Sequence, residues 1–70
     1  MSSDRTPEQI GDLPRIGRPA NRALMGIGAT TLDEVAELGR ARLLALHGVG
    51  PKAIRILAEE CERRGVTFAP

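Results

Sequence analysis

Leu43-Leu44-Ala45-Leu46-His47-Gly48-Val49-Gly50-Pro51-Lys52-Ala53 runs an apolar helical stretch into a turn with one apolar residue between two glycines, then into a proline-led helix start. Each part has a physical reason. Gly48 and Gly50 permit positive φ and carry no Cβ to obstruct an approaching group, while Val49 points inward and pins the turn to the core. Pro51 suits a first helical position, where its missing N–H costs no intrahelical bond. The amides of the turn and of the next helix's first residues point outward unpaired, and the helix dipole adds partial positive charge there. An anion fits such a place. Lys52 adds a formal charge beside the amides, and Arg55, one turn on, reaches the same or the next phosphate of a nucleic acid. The bland alternative is a tight turn between helices that binds nothing.

Helix signals flank this turn on both sides. Downstream, Ile54, Leu57, Ala58 and Cys61 follow the i, i+3, i+4, i+7 spacing of a buried stripe, and Gly65 ends the longest helix at about residue 64. Upstream, Thr31-Leu32-Asp33-Glu34 is a capping box, so a helix is expected from about 32 to 38 with Leu32, Val35, Ala36 and Leu38 as its apolar set and Gly39 as its stop. A fourth helix then carries Leu43, Leu44 and Leu46 into the turn. Nearer the N-terminus, another helix opens at Arg18-Pro19 and runs through Ala20, Ala23 and Leu24 to the Gly26 to Gly28 region. Thr6-Pro7-Glu8-Gln9 signals a short first helix that Gly11 and Pro14 stop within about a turn and a half, leaving Leu13 as an apolar anchor. Met25 and Cys61 are expected in the core. Strand signals are absent apart from an extended Val66-Thr67-Phe68 tail. The sum is an all-α fold: a compact bundle of about five short helices, with residues 1–12 as a lead-in, 13–68 as the domain and 69–70 as a tail.

An internal repeat strengthens the reading. When residues 13–24 are set over residues 46–57, Leu, Gly, Ala, Arg and Leu coincide at five of twelve positions and Ile16 faces Val49. Each copy reads as apolar residue, turn, glycine, then a helix start carrying basic residues. Two copies suit a pseudo-twofold pair of hairpins on one core, with both turns at the same end of the domain. Charge follows the same division. Residues 13 to 32 carry only Arg15, Arg18 and Arg22, and residues 38 to 58 only Arg40, Arg42, Lys52 and Arg55, whereas acids cluster before, between and after these blocks. A net charge of +1 therefore conceals two acid-free basic segments, each built around a glycine turn.

Composition limits the alternatives. A chain of 70 residues holds one small domain, and at that size only about 60% of the unfolded surface is buried. Cys61 is the single cysteine, which excludes an intramolecular disulfide and suits a reducing cytoplasm. Cys61 and His47 alone cannot furnish a zinc site, and His47 reads as a turn residue. The polar MSSDRTPEQIGD start does not look like a signal peptide, and no apolar run reaches membrane-spanning length. No nucleophile, base and orienting acid can be assembled, so neither an enzyme nor a cofactor is expected. Phe68 is the only aromatic residue, which disfavours base stacking and favours recognition of a duplex backbone.

The run from Leu43 to Ala53 resembles the helix-hairpin-helix motif of DNA ligases, glycosylases and repair nucleases, in which two helices flank an apolar residue held between glycines. More widely, residues 13 to 68 are similar in order and spacing to the C-terminal domain of the bacterial RNA polymerase alpha subunit, a SAM-like helical fold. Ala29-Thr30-Thr31-Leu32-Asp33-Glu34-Val35, Leu43-Leu44, Gly48-Val49-Gly50-Pro51-Lys52 and Arg63-Arg64-Gly65-Val66 carry the likeness. That resemblance implies a bacterial, cytoplasmic domain contacting duplex DNA with the start of its first long helix and with the hairpin before its last. Ala53 stands where that family has a serine. Pro19 and Arg22 fall at its arginine and asparagine positions, with Arg18 and Asn21 one place away. Phosphate gripping with little sequence preference is what the resemblance implies for this chain.

The expected interface is therefore Arg15, Gly17, Arg18, Asn21 and Arg22 with Gly48, Val49, Gly50, Lys52, Ala53 and Arg55. A grip of this size is weak, so a second DNA-binding partner or self-association is expected to accompany it. The rival reading is a small helical protein-docking domain. Convergence of the basic residues around both turns favours DNA, whereas scattered cations and an exposed apolar patch favour docking.

Overall fold

Three helices form in the computed structural model, which describes residues 6–70: α1 (Arg18–Gly26), α2 (Leu32–Leu44) and α3 (Pro51–Arg64), with no strand among those residues. Residues 1–5 of the expected lead-in lie outside the described residues. Local chemistry explains the helix ends. Pro19 and Pro51 stand in the first turns of α1 and α3, whose N-caps are Gly17 and Gly50. Thr31 opens α2 with a complete capping box: its Oγ1 accepts from the Glu34 N–H at 3.2 Å, and Glu34 Oε1 accepts from the Thr31 N–H at 3.2 Å. Gly65 closes α3 at φ 71°, and the Val66 N–H bonds Cys61 O at 2.8 Å.

The expectation of about five helices is corrected to three. Residues 7–13 make a turn and no helix: Gly11 turns at φ 50°, and the Leu13 N–H bonds Ile10 O at 3.0 Å. So short a segment gains too few helical bonds to offset the unfavourable first turn. Ile10 and Leu13 anchor it in the core instead. The break expected at Gly39 is present, and the helical segments on either side of it are the two arms of the kinked α2. Gly39 leaves helical geometry at φ 87°, ψ 169°, and the helix resumes at Arg40.

The tail repairs that kink. The Ala69 N–H bonds Ala36 O at 3.0 Å, and the Arg40 N–H bonds Ala69 O at 3.0 Å, so one tail residue satisfies backbone groups that the break releases. A Cβ at Gly39 would stand 2.7 Å from Pro70 O, which makes glycine necessary for the closure. The Arg40 guanidinium also lies over the Phe68 ring, 4.8 Å from its centre.

Leu13, Leu24, Leu32, Leu43 and Leu57 form the centre of the core, each almost fully buried. Such a side chain contributes about 1.5–3 kcal/mol through burial. Of the expected α3 stripe, Ile54, Leu57 and Cys61 are buried and Ala58 is half-buried. Burial pushes the Cys61 thiol above its ordinary pKa, which leaves it a small apolar core residue. Met25 is not in the core. It is 46% exposed, because it follows the buried Leu24 by one position, about 100° around the α1 surface. Leu44 is displaced outward beside Leu43 in the same way.

Glu60 is the buried acid of α3. Its carboxylate accepts from Arg63 Nη2 and from Arg64 Nε, both at 2.6 Å, while Arg64 also reaches Asp12. The Arg63 hydrogen bond, opposed by burial and supported by Arg64, holds the Glu60 carboxyl below its ordinary value of 4.5. A depressed folded pKa means that this stabilisation is complete above the ordinary value and is lost as pH falls through the folded one. Urea melts at descending pH should therefore show wild-type stability falling below about pH 4.5 more steeply than that of Glu60→Gln. Parallel curves would show that the cluster contributes nothing to the acid limb.

Candidate nucleic-acid interface

The repeat recurs as equivalent structural roles. Gly17 and Gly50 are both N-caps, and the first bonds they accept, Asn21 N–H to Gly17 O at 3.0 Å and Ile54 N–H to Gly50 O at 3.1 Å, match. Ala20 and Ala53 are buried alike, as are Leu24 and Leu57. The two turns meet. Arg15, Ile16, Gly17, Pro19, Ala20, Gly48, Gly50, Lys52, Ala53 and Ile56 line a single cleft of about 360 Å³. Contact between the turns is close enough that a Cβ on Gly48 would stand 2.6 Å from Pro19 O.

Backbone geometry separates the two glycines of the second turn. Gly48 has φ 100°, as expected, but Gly50 is extended at φ −110°, ψ −179° and needs no positive φ. Open space surrounds a Cβ built at Gly50. Its importance to the fold is therefore smaller than the sequence suggests, and only an approaching ligand would notice a side chain there. Val49 is buried and pins the turn inward. Because α3 begins at Pro51 and its first bond starts at the Ile54 N–H, the amides of Lys52 and Ala53 have no intrahelical carbonyl to bond. Ala53 is buried and forms part of the cleft lining.

The basic side chains divide into two states. Lys52 and Arg55 are exposed, and among the described residues no ion pair engages either. Arg15 and Arg18 are exposed but already partnered: Glu8 places one carboxylate oxygen 3.4 Å from Arg15 Nη1 and the other 3.1 Å from Arg18 Nη2. Arg18 Nε also donates to Thr6 O at 3.2 Å, and Arg22 Nε to Thr6 Oγ1 at 3.4 Å. Asn21 requires correction as a contact residue. It is fully buried, its Nδ2 donates to Pro7 O at 2.8 Å, and its Oδ1 has no partner. The repeat held a signal for this, because Asn21 aligns with Ile54, a member of the α3 core stripe. Glu8 was not foreseen as a site residue. Its only sequence cue is its place in the acidic block ahead of the first basic one.

A second, larger groove of about 610 Å³ lies elsewhere, lined by Ile27, Gly28, Ala29, Glu34, Glu37, Leu38, Arg42 and Leu46. Ile27 there is 50% exposed. Among the described residues no cluster of three or more His, Cys, Asp or Glu could hold a metal ion, and no helix is long and apolar enough to cross a membrane. No protein-family model matches the chain, and neither a curated protein nor a solved structure does.

Proposed function

We propose that the chain is a non-catalytic, cytoplasmic DNA-binding module of the helix-hairpin-helix kind, gripping duplex phosphates with little sequence preference. The observation that carries this reading is the meeting of the two glycine turns at one cleft, with Arg15 and Lys52 on its lining and the unpaired Lys52 and Ala53 amides beside it. Unpaired amides at a helix start and a neighbouring ammonium both favour an anion. Phosphates carry no base identity, so such contacts fix position and leave sequence unread. Arg55 extends the positive edge one turn along α3. The rival reading, a protein-docking domain, is favoured by the groove at Ile27, Leu38 and Leu46.

Amide shift mapping with a short duplex tests the proposal, and perturbations should gather at residues 15–22 and 48–55. Lys52→Ala should leave the fold intact, weaken binding equally for unrelated sequences, and reduce the salt slope by about 1. Perturbations gathered instead around Ile27 and Leu38, or unchanged affinity in folded Lys52→Ala, would sink it.

A further inference from the structure

Glu8 lies between two guanidinium groups as a phosphate oxygen pair would, and the segment bearing it is fastened unevenly. Its downstream half is anchored: Ile10 and Leu13 are in the core, Gln9 Nε2 donates to Leu13 O at 2.9 Å, and Asp12 Oδ1 accepts from the Leu32 N–H at 2.8 Å. The described upstream half, residues 6–8, has no buried apolar residue. Its contacts to α1 and the preceding turn include the exposed Glu8 pairs, the Thr6 contacts with Arg18 and Arg22, and the bond from Asn21 Nδ2 to Pro7 O. Asn21 Oδ1 beneath it is buried without a partner, so the interface it covers is not fully satisfied.

We infer that residues 6–8 form a strap that competes with a nucleic-acid phosphate for Arg15 and Arg18, and that lifting this strap raises the affinity of the cleft for DNA. The inference rests on the DNA-binding reading above. Exposed ion pairs are worth little individually, so a phosphate can displace Glu8 while the Ile10 to Leu13 anchor holds. The strap therefore weakens binding without abolishing it. It also accounts for the asymmetry between the two turns, in which Lys52 and Arg55 stand unpaired and Arg15 and Arg18 do not.

The test compares wild type, Glu8→Gln and Glu37→Gln for binding to one short duplex at low salt, with thermal melts of each. Glu37→Gln makes the same charge change in the groove away from the turns. Removing two exposed pairs should raise affinity about two- to tenfold in Glu8→Gln, clearly more than in Glu37→Gln, with little change in Tm. Equal effects of the two substitutions, or no gain in Glu8→Gln, overturn the strap while leaving the DNA reading in place. Wild type that binds no duplex overturns the DNA reading, and the strap with it.

Discussion

Gly48→Ala is expected to lower the melting temperature by more than about 10 °C, because two costs fall on one residue. At φ 100° a non-glycine residue carries backbone strain, of order 1–3 kcal/mol. The new Cβ would also stand 2.6 Å from Pro19 O, a backbone atom that cannot rotate aside. Such overpacking adds about 1–3 kcal/mol. A domain of this size has roughly 4–10 kcal/mol of stability in total, so the combined loss leaves a substantial unfolded fraction. Gly50→Ala is the control. With extended backbone and open space around the added Cβ, it should melt close to wild type yet bind duplex DNA more weakly. Circular dichroism melts decide the matter, and a Gly48→Ala variant within a few degrees of wild type would refute the close packing of the two turns.

DNA affinity should fall roughly 150-fold between 50 and 200 mM salt, the slope of about −3.6 that four phosphate contacts give. Those contacts are assigned to Arg18, Arg22, Lys52 and Arg55. Lys52 and Arg55 enter them without surrendering an ion pair among the described residues, whereas Arg18 must first leave Glu8 and Thr6 O. The slope therefore counts how much of the interface engages. A value near −1.8 would mean that about two phosphates are held, which confines the grip to α3 and contradicts the two-turn account. Affinity that scarcely changes with salt would remove the phosphate grip altogether, as would nanomolar binding by the isolated monomer.

Features with short-range causes were legible in the sequence. The Thr31–Glu34 capping box, the prolines opening α1 and α3, the Gly65 stop and the Ile54, Leu57, Cys61 stripe each act within a few residues, and each stands where it was expected. The repeat went further, since matched roles at Gly17 and Gly50 brought two distant turns to one cleft. Legibility ended where a distant partner decides the outcome. Thr6 to Gln9 carries a helix-start signal, but burial of Ile10 and Leu13 and the Asp12 bond to α2 select a turn. Gly39 reads as a stop and does break the helix there, but nothing local announces that a tail residue closes the break. At the interface, residue types identified the cations, yet which of them are already occupied depends on a tertiary contact with Glu8 that no local spacing encodes.

The closure of the α2 kink by Ala69 ties the middle of the chain to its far end. Closing a loop of about thirty residues costs entropy before the two backbone bonds return anything. Those bonds therefore belong among the late events of folding, after α2 and α3 have packed and brought the tail into reach. Protection of the Arg40 amide from hydrogen exchange is correspondingly a property of the tail's attachment, even though the residue sits inside a helix. The Arg40 and Ala69 amides should therefore lose protection together, as one cooperative unit.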